Sequence, residues 1–157
     1  MTEAGVLGLL DQVKDPEVPV ISIVELGIVR GVQLEGSEVT VVITPTYSGC
    51  PAMRAIEDEI RAVLAQAGFA RVRIETVYAP AWTTDWIKED AREKLRAYGI
   101  APPGAVVSLD PTRRAGPRCP FCGSTETGVV SEFGATACKS LHICRACRQP
   151  FEHFKAF

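Results

Sequence analysis

Apolar residues in the first hundred positions recur with two periods, one helical and one alternating. Val6, Leu10 and Val13 make an opening helical stripe that ends before Asp15-Pro16. Val39, Val41 and Ile43 alternate with Thr40, Val42 and Thr44, which predicts a strand buried on at least one face. A partner strand is predicted over Ile28 to Leu34, and the turn at Glu35-Gly36-Ser37 joins the two as a hairpin. Met53, Ile56, Ile60, Val63, Leu64 and Ala67 return to helical spacing, and Gly68 supplies the stop. Val72 and Ile74 then face one way and Arg71, Arg73 and Glu75 the other, giving a third strand. Ile87, Ala91, Leu95 and Tyr98 line a last helix that Gly99 ends. The order helix, two strands, helix, strand, helix is that of a small α+β domain over residues 1–100.

After Gly99 the pattern breaks. Pro102, Pro103, Gly104, Pro111, Gly116 and Pro117 punctuate residues 101–117, which cannot continue a helix and read as a linker. Val106, Val107 and Leu109 within it predict that the linker packs on the first domain. Residues 118–157 are then a separate module. The 157-residue chain is 46% hydrophobic and 23% charged, which describes a globular protein and not a disordered one. Residues 1–117 carry 12 Lys/Arg against 16 Asp/Glu, and residues 118–157 carry 5 against 3, so the two parts bear net charges of −4 and +2. Neither value resembles the basic stripe of a nucleic-acid binder, and no nucleic-acid partner is expected. No charged-then-apolar leader and no membrane-length apolar run are visible, so a cytoplasmic protein without membrane contact is expected.

That compartment bears on the cysteines. Cys119-Pro120-Phe121-Cys122 and Cys144-Arg145-Ala146-Cys147 are two Cys-x-x-Cys pairs separated by 21 residues, slightly beyond the usual zinc-ribbon spacing. Where thiols stay reduced, clustered cysteines hold metal more often than they form disulfides. Four thiolates from two tight turns converge on one tetrahedral ion at about 2.3 Å, so a four-cysteine zinc ribbon is predicted, with iron as the other metal that sulfur ligation suits. Cys138 is a fifth cysteine in this module, either a small buried side chain beneath the ribbon or an alternate ligand. His142 lies between Leu141 and Ile143 and should point away from them, as a surface or supporting histidine and not a ligand. Phe151, Phe154 and Phe157 form an aromatic tail expected to pack on the ribbon or the first domain, with partner docking as the other use.

Thr46-Tyr47-Ser48-Gly49-Cys50-Pro51 joins the second strand to the second helix. Pro51 suits the first helical position, which places Cys50 at or beside the N-cap, where free amides and the helix dipole favour a thiolate. The expectation is a thiol more acidic than a free cysteine; a buried structural cysteine in a tight turn is the competing reading. His142 and His153 are the only histidines and both lie in the metal module, which weakens a Cys–His nucleophile at Cys50. Glu57, Asp58 and Glu59 read as the solvated side of their helix, and Asp15 and Glu17 as turn residues around Pro16. No phosphate loop, serine elbow or Glu-x-x-His diiron pair is present.

Asp15-Pro16-Glu17, Glu25-Leu26-Gly27-Ile28-Val29 and Thr46-Tyr47-Ser48-Gly49-Cys50-Pro51 together resemble the small domain of SufT-like iron–sulfur assembly factors. Trp82-Thr83-Thr84-Asp85-Trp86 and the terminal pattern from Cys119 to Phe154 resemble one branch of that family, PaaD (also called PaaJ), which accompanies the phenylacetyl-CoA monooxygenase (epoxidase) of phenylacetate degradation. The resemblance spans nearly the whole chain. It implies a SufT-like domain followed by a zinc ribbon, and an accessory maturation role instead of catalysis. The family's cysteine falls on Cys50, a thiol for handling sulfur or a transient iron–sulfur cluster, its threonine on Thr46 and its acidic entry on Asp15. The implied partners are components of the monooxygenase, especially its iron–sulfur reductase, with a homodimer left open. A zinc-ribbon adaptor for protein or nucleic acid, and a thiol-dependent enzyme using Cys50, are the alternatives.

Overall fold

The computed structural model describes residues 1–104 and 116–157, so the expected packing of Val106, Val107 and Leu109 lies outside the described residues. The chain divides into two compact units, Met1–Lys88 and Glu89–Phe157.

The first unit opens with α1 (Glu3–Leu10), capped by the Thr2 side chain accepting from the Gly5 N–H. A long loop leads to β1 (Val29–Glu35), which pairs antiparallel with β2 (Glu38–Ile43) through the tight turn at Gly36-Ser37. Helix α2 (Ala52–Gln66) carries the chain across to β3 (Arg71–Thr76), which lies parallel to β2, so the sheet order is β1-β2-β3. The expected alternation is kept in detail. Val39, Val41 and Ile43 are buried, and Arg71, Arg73 and Glu75 are exposed while Val72 and Ile74 are covered in part. Ala52, Ile56, Ile60 and Leu64 form the buried stripe of α2, each one helical turn from the last. Val6 and Leu10 of α1 join the same core, and so does Val13, which lies past the helix end in a turn.

The loop from Asp15 to Ile28 is built by its own side chains. The Asp15 carboxylate accepts from the backbone N–H groups of Glu17 (2.7 Å) and Val18 (3.0 Å). Ser22 and Glu25 cap each other reciprocally: the Glu25 carboxylate accepts from the Ser22 N–H at 2.9 Å and the Ser22 hydroxyl from the Glu25 N–H at 3.0 Å. Gly27 follows with φ +79°, and a Cβ there would lie 2.9 Å from Trp86 Cβ and 3.1 Å from the Trp86 carbonyl oxygen. Trp86 is itself pinned under the Arg30 guanidinium, 3.8 Å from its ring centroid. Gly27→Ala combines a left-handed alanine with a backbone clash. It is expected to destabilise the first unit by about 2–4 kcal/mol, read as a lower denaturation midpoint with the ribbon metal still bound.

The second unit starts with α3 (Glu89–Tyr98), the helix that the sequence pattern assigns to the first domain; Ile87 precedes it instead of joining it. The reason is the short strand that follows. β4 (Ile100–Ala101) pairs parallel with β7 (Pro150–Phe154), placing α3 beside the C-terminal sheet. That sheet has the order β4-β7-β6-β5, with β5 (Thr127–Ser131) at one edge and β6 (Lys139–Cys144) between β5 and β7. Phe151 and Phe154 are buried within this unit, whereas Phe157 is exposed.

Candidate metal centre and thiol site

Cys119 and Cys122 sit on one turn, and Cys144 and Cys147 on another at the end of β6. Each turn closes on itself: the Gly123 N–H donates to the Cys119 carbonyl at 2.9 Å, and the Cys147 N–H to the Cys144 sulfur at 3.5 Å. The residue after each second cysteine, Gly123 (φ 76°) and Arg148 (φ 62°), is left-handed, so the two turns share one geometry although only one carries glycine. Their four sulfurs all lie within 4.8 Å of one another. Cys119 Sγ is 3.7 Å from Cys147 Sγ, and Cys122 Sγ is 3.5 Å from Cys144 Sγ. A tetrahedral ion with metal–sulfur bonds near 2.3 Å needs sulfur separations of about 3.8 Å, so the quartet fits zinc or iron.

Electrostatics agrees with that donor set. The Cys144 thiol is drawn down, chiefly by the backbone N–H of Cys147. Cys147 is pushed up: the pull of the Gln149 N–H is outweighed by burial and by the Cys144, Cys122 and Cys119 sulfurs. Packed thiols cannot all ionise side by side, and a divalent cation reverses that penalty. The candidate ligands are also core. Cys119, Cys144, Ala101 and Phe151 form one buried cluster, against which Cys147 packs.

Cys138 stands outside the quartet. It is buried at the foot of β6, with its sulfur 3.0 Å from the Thr136 hydroxyl. His142 does point away from Leu141 and Ile143, but its face is the buried one, which corrects the surface placement expected for it. The ring stacks on Phe151 at 5.6 Å between centroids, meets His153 edge-on at 5.3 Å, and shares a 2.9 Å hydrogen bond with the Ser140 hydroxyl. Burial lowers the pKa of both imidazoles, and because two protonated rings side by side would repel, His153 falls further, to about 4; both are neutral packing groups at neutral pH.

In the first unit, Pro51 (φ −69°) takes the N-cap of α2 and Cys50 precedes it, half-buried. The turn is fastened by the Cys50 N–H donating to the Tyr47 carbonyl at 3.2 Å. Here the expected acidic thiol is corrected: the Cys50 pKa is raised, first by burial and then by the negative charges of Glu17 and Asp15. The Ala52 backbone N–H and the Tyr47 side chain both hydrogen-bond the thiol and pull the other way, but they are outweighed. The helix terminus does act on Cys50, therefore, and loses to desolvation and two carboxylates. Asp15 and Glu17 thus lie within electrostatic reach of the cysteine, and Thr46, nearly buried, belongs to the same loop.

Beside this corner is a cavity of about 260 Å³, walled by Thr44, Thr46, Tyr47, Ser48, Tyr78 and Trp82 among others. Trp82 is 5% exposed and its indole N–H donates to the Leu26 carbonyl at 2.9 Å, tying the cavity wall to the Glu25-Leu26-Gly27 loop. Thr44 is 1% exposed, and among the described residues its hydroxyl has no hydrogen-bond partner. Neither Thr44 nor Tyr78 stood out in the sequence. Thr44 looks there like the outward member of an alternating strand, and nothing in the pattern marks a threonine whose hydroxyl is buried.

Residues 3–76 match the family described as iron–sulfur cluster assembly protein, and residues 104–155 match the PaaD zinc beta ribbon domain. The chain is 48% identical over 147 residues to an Escherichia coli (strain K12) protein named as the D component of the "Putative 1,2-phenylacetyl-CoA epoxidase", covering 94% of this chain and 88% of that one. It is 33% identical over 96 residues to an Fe-S protein maturation auxiliary factor of Porphyromonas gingivalis, covering 60% of this chain and 90% of the relative. Among solved structures, the domain of unknown function DUF59 from Bacillus anthracis superposes with a TM-score of 0.56 at 26% identity, covering 59% of this chain and 90% of that one.

Proposed function

The chain belongs to the PaaD family, a SufT-like iron–sulfur assembly domain joined to a zinc ribbon, and from that membership we propose that it is an accessory maturation factor for a phenylacetyl-CoA monooxygenase. Its task in this reading is to install or preserve an iron–sulfur cluster in a component of that system, above all the reductase, without touching the organic substrate. The observation that carries the reading is the division of thiols between the two units. Four cysteines close on themselves in the ribbon, while Cys50 stands half-buried at a helix entrance with no cysteine beside it among the described residues.

The two thiol sites suit different work. In the ribbon, Cys119, Cys122, Cys144 and Cys147 would hold one structural zinc ion. A four-sulfur tetrahedron leaves that ion no open position, so its contribution is folding free energy and a firm docking surface. Cys50 offers a single sulfur, and a single ligand can pass a cluster on where a closed site would retain it. Its raised pKa keeps the thiol protonated at neutral pH, so binding a cluster iron must release that proton. Asp15 and Glu17, which disfavour a bare thiolate, favour a positively charged iron–sulfur core arriving at the sulfur.

The test is to produce the monooxygenase and its reductase in cells that carry the wild-type chain, Cys50→Ala, or neither. Cys50→Ala is expected to keep the zinc content and the far-ultraviolet circular dichroism of the wild type while lowering reductase-bound iron and sulfide severalfold. Full cluster content with Cys50→Ala removes Cys50 from the mechanism. Full cluster content in cells lacking the chain overturns the maturation role.

A further inference from the structure

We propose that the outer face of the second cysteine turn, a hollow between Arg145, Arg148 and Ile143, is where a partner protein docks through an acidic side chain flanked by an aliphatic one. The proposal rests on the reading of this chain as an accessory factor that must meet its client, and names the chemistry of that meeting.

Three observations carry it. The first is which cations of the module are already engaged. Lys139 pairs with Glu152 at 2.9 Å, Lys155 lies 4.2 Å from the centroid of the Phe133 ring, and Arg118 donates to the Gly123 carbonyl at 3.3 Å. Among the described residues, the guanidiniums of Arg145 and Arg148 have neither an ion pair nor a hydrogen bond. The second is backbone conformation. Arg148 is left-handed at φ 62°, in the position that Gly123 fills in the first turn. Glycine takes that conformation freely and arginine does not, so the turn itself gives no reason for a long cationic side chain there. An unfavourable residue kept at such a place points to a use for its side chain.

The third observation is the surface between them. Ile143, Cys144, Arg145 and Arg148 wall a hollow of about 290 Å³ at the end of β6. Ile143 is 41% exposed and is paired with Gly128 of β5 on one side and Pro150 of β7 on the other. Gly128 leaves its space to the Arg145 guanidinium: a Cβ there would lie 3.4 Å from Arg145 Nη2. Two cationic forks therefore stand beside an aliphatic floor. Guanidinium forks donate in pairs to carboxylates, and the floor takes an apolar neighbour. At about 30 Å³ per water-sized volume, the hollow holds on the order of ten heavy atoms, enough for one glutamate or aspartate side chain and one leucine-sized one. A nucleic-acid strand is the poorer match. The module has no basic stripe, and neither Ile143 nor Pro150 offers a base an aromatic ring to stack on.

The experiment measures binding of the full-length, zinc-loaded chain to the purified monooxygenase and to its reductase, at low and at high salt. Arg145→Gln and Arg148→Gln are each expected to weaken the complex about tenfold or more and to flatten its salt dependence. Arg148→Gly separates docking from folding, because it relieves the left-handed backbone. Zinc retention should be kept or improved in that variant while binding falls as it does in Arg148→Gln. Arg148→Lys keeps a cation and adds a reactive amine. Treated with a carbodiimide in the complex, it should form an amide with the partner carboxylate that the wild-type complex lacks, and peptide mapping then identifies the acidic segment and its aliphatic neighbour.

Unchanged affinity in Arg145→Gln and Arg148→Gln overturns the docking site, and so does failure of the wild-type chain to bind either component. A single-stranded oligonucleotide that binds more tightly than both proteins, and is lost with the same two substitutions, overturns the choice of a protein partner. These outcomes are read from binding, whereas the maturation role is read from reductase cluster content. A docking site that fails while cluster content still depends on the chain leaves maturation standing, with contact elsewhere on the surface. Binding that behaves as expected, with full cluster content in cells lacking the chain, sinks the maturation role and leaves the interface.

Discussion

Chelating the ribbon metal is expected to abolish amide protection throughout β5, β6 and β7 while leaving β1, β2 and β3 protected. The size of the effect follows from what the cysteines do besides ligation. One buried cluster among the described residues of the second unit joins Cys119, Cys144, Ala101 and Phe151, with Cys147 packed on it, so three of the four candidate ligands belong to it. Removing the ion leaves those sulfurs with opposed ionisation demands, Cys144 drawn toward the thiolate and Cys147 and Cys122 pushed toward the thiol. The sheet has weak margins: β4 is two residues long, and the edge strand β5 exposes Val129 and Val130. Structural zinc in modules of this kind supplies on the order of 10–16 kcal/mol of apparent binding free energy, more than such a sheet can replace. Hydrogen exchange of the full chain, with and without a chelator, reads both units in one experiment. Unchanged protection in β5 to β7 after complete metal removal would show that the sheet stands without the ion. Loss of protection in β1 to β3 as well would show that the two units unfold together.

What the sequence disclosed and what it hid divide along a physical line. Local periodicity was legible: the alternation at Val39, Val41 and Ile43 and the four-residue stripe Ile56, Ile60, Leu64 depend only on which face of one element is covered. The four ribbon cysteines were legible because metal ligation imposes a spacing that little else does. The position of α3 was not. Its own pattern marks a buried face through Ala91 and Leu95 but not the neighbour, which is decided by Ile100 and Ala101 pairing with residues Glu152 and His153, some fifty positions later. His142 failed for a related reason: alternation says that it opposes Leu141 and Ile143, and only the packed Phe151 and His153 decide which side is inside. The acidity of Cys50 failed because a helix terminus is a local signal, whereas burial and the carboxylates of Asp15 and Glu17 come from elsewhere in the chain. Thr44 was hidden for the same reason, since a side chain's lack of a partner is a property of everything around it.

Trp82→Ala is expected to cost the first unit about 3–5 kcal/mol, the usual penalty for deleting a buried aromatic side chain. The indole is 5% exposed, and its N–H is the donor to the Leu26 carbonyl, so truncation opens a void and strips a loop of one of its ties at once. The two contributions can be separated. Trp82→Phe keeps most of the ring volume and removes only the donor, leaving the Leu26 carbonyl short of a bond, and should cost about 1–3 kcal/mol. The loop concerned is the one that Ser22 and Glu25 cap and that Gly27 turns beneath Trp86, so its loosening should spread to the start of β1 before it reaches β2. The measurement is denaturant-dependent hydrogen exchange of β1 and β2 in the zinc-loaded full chain, because two units make a single global midpoint ambiguous. A Trp82→Ala loss below about 1 kcal/mol would mean that the indole only covers the cavity and does not support the sheet. Equal losses for Trp82→Phe and Trp82→Ala would assign the whole effect to the bond with Leu26. If Trp82→Ala costs clearly more than Trp82→Phe, the buried ring itself supports the fold beyond its bond to Leu26.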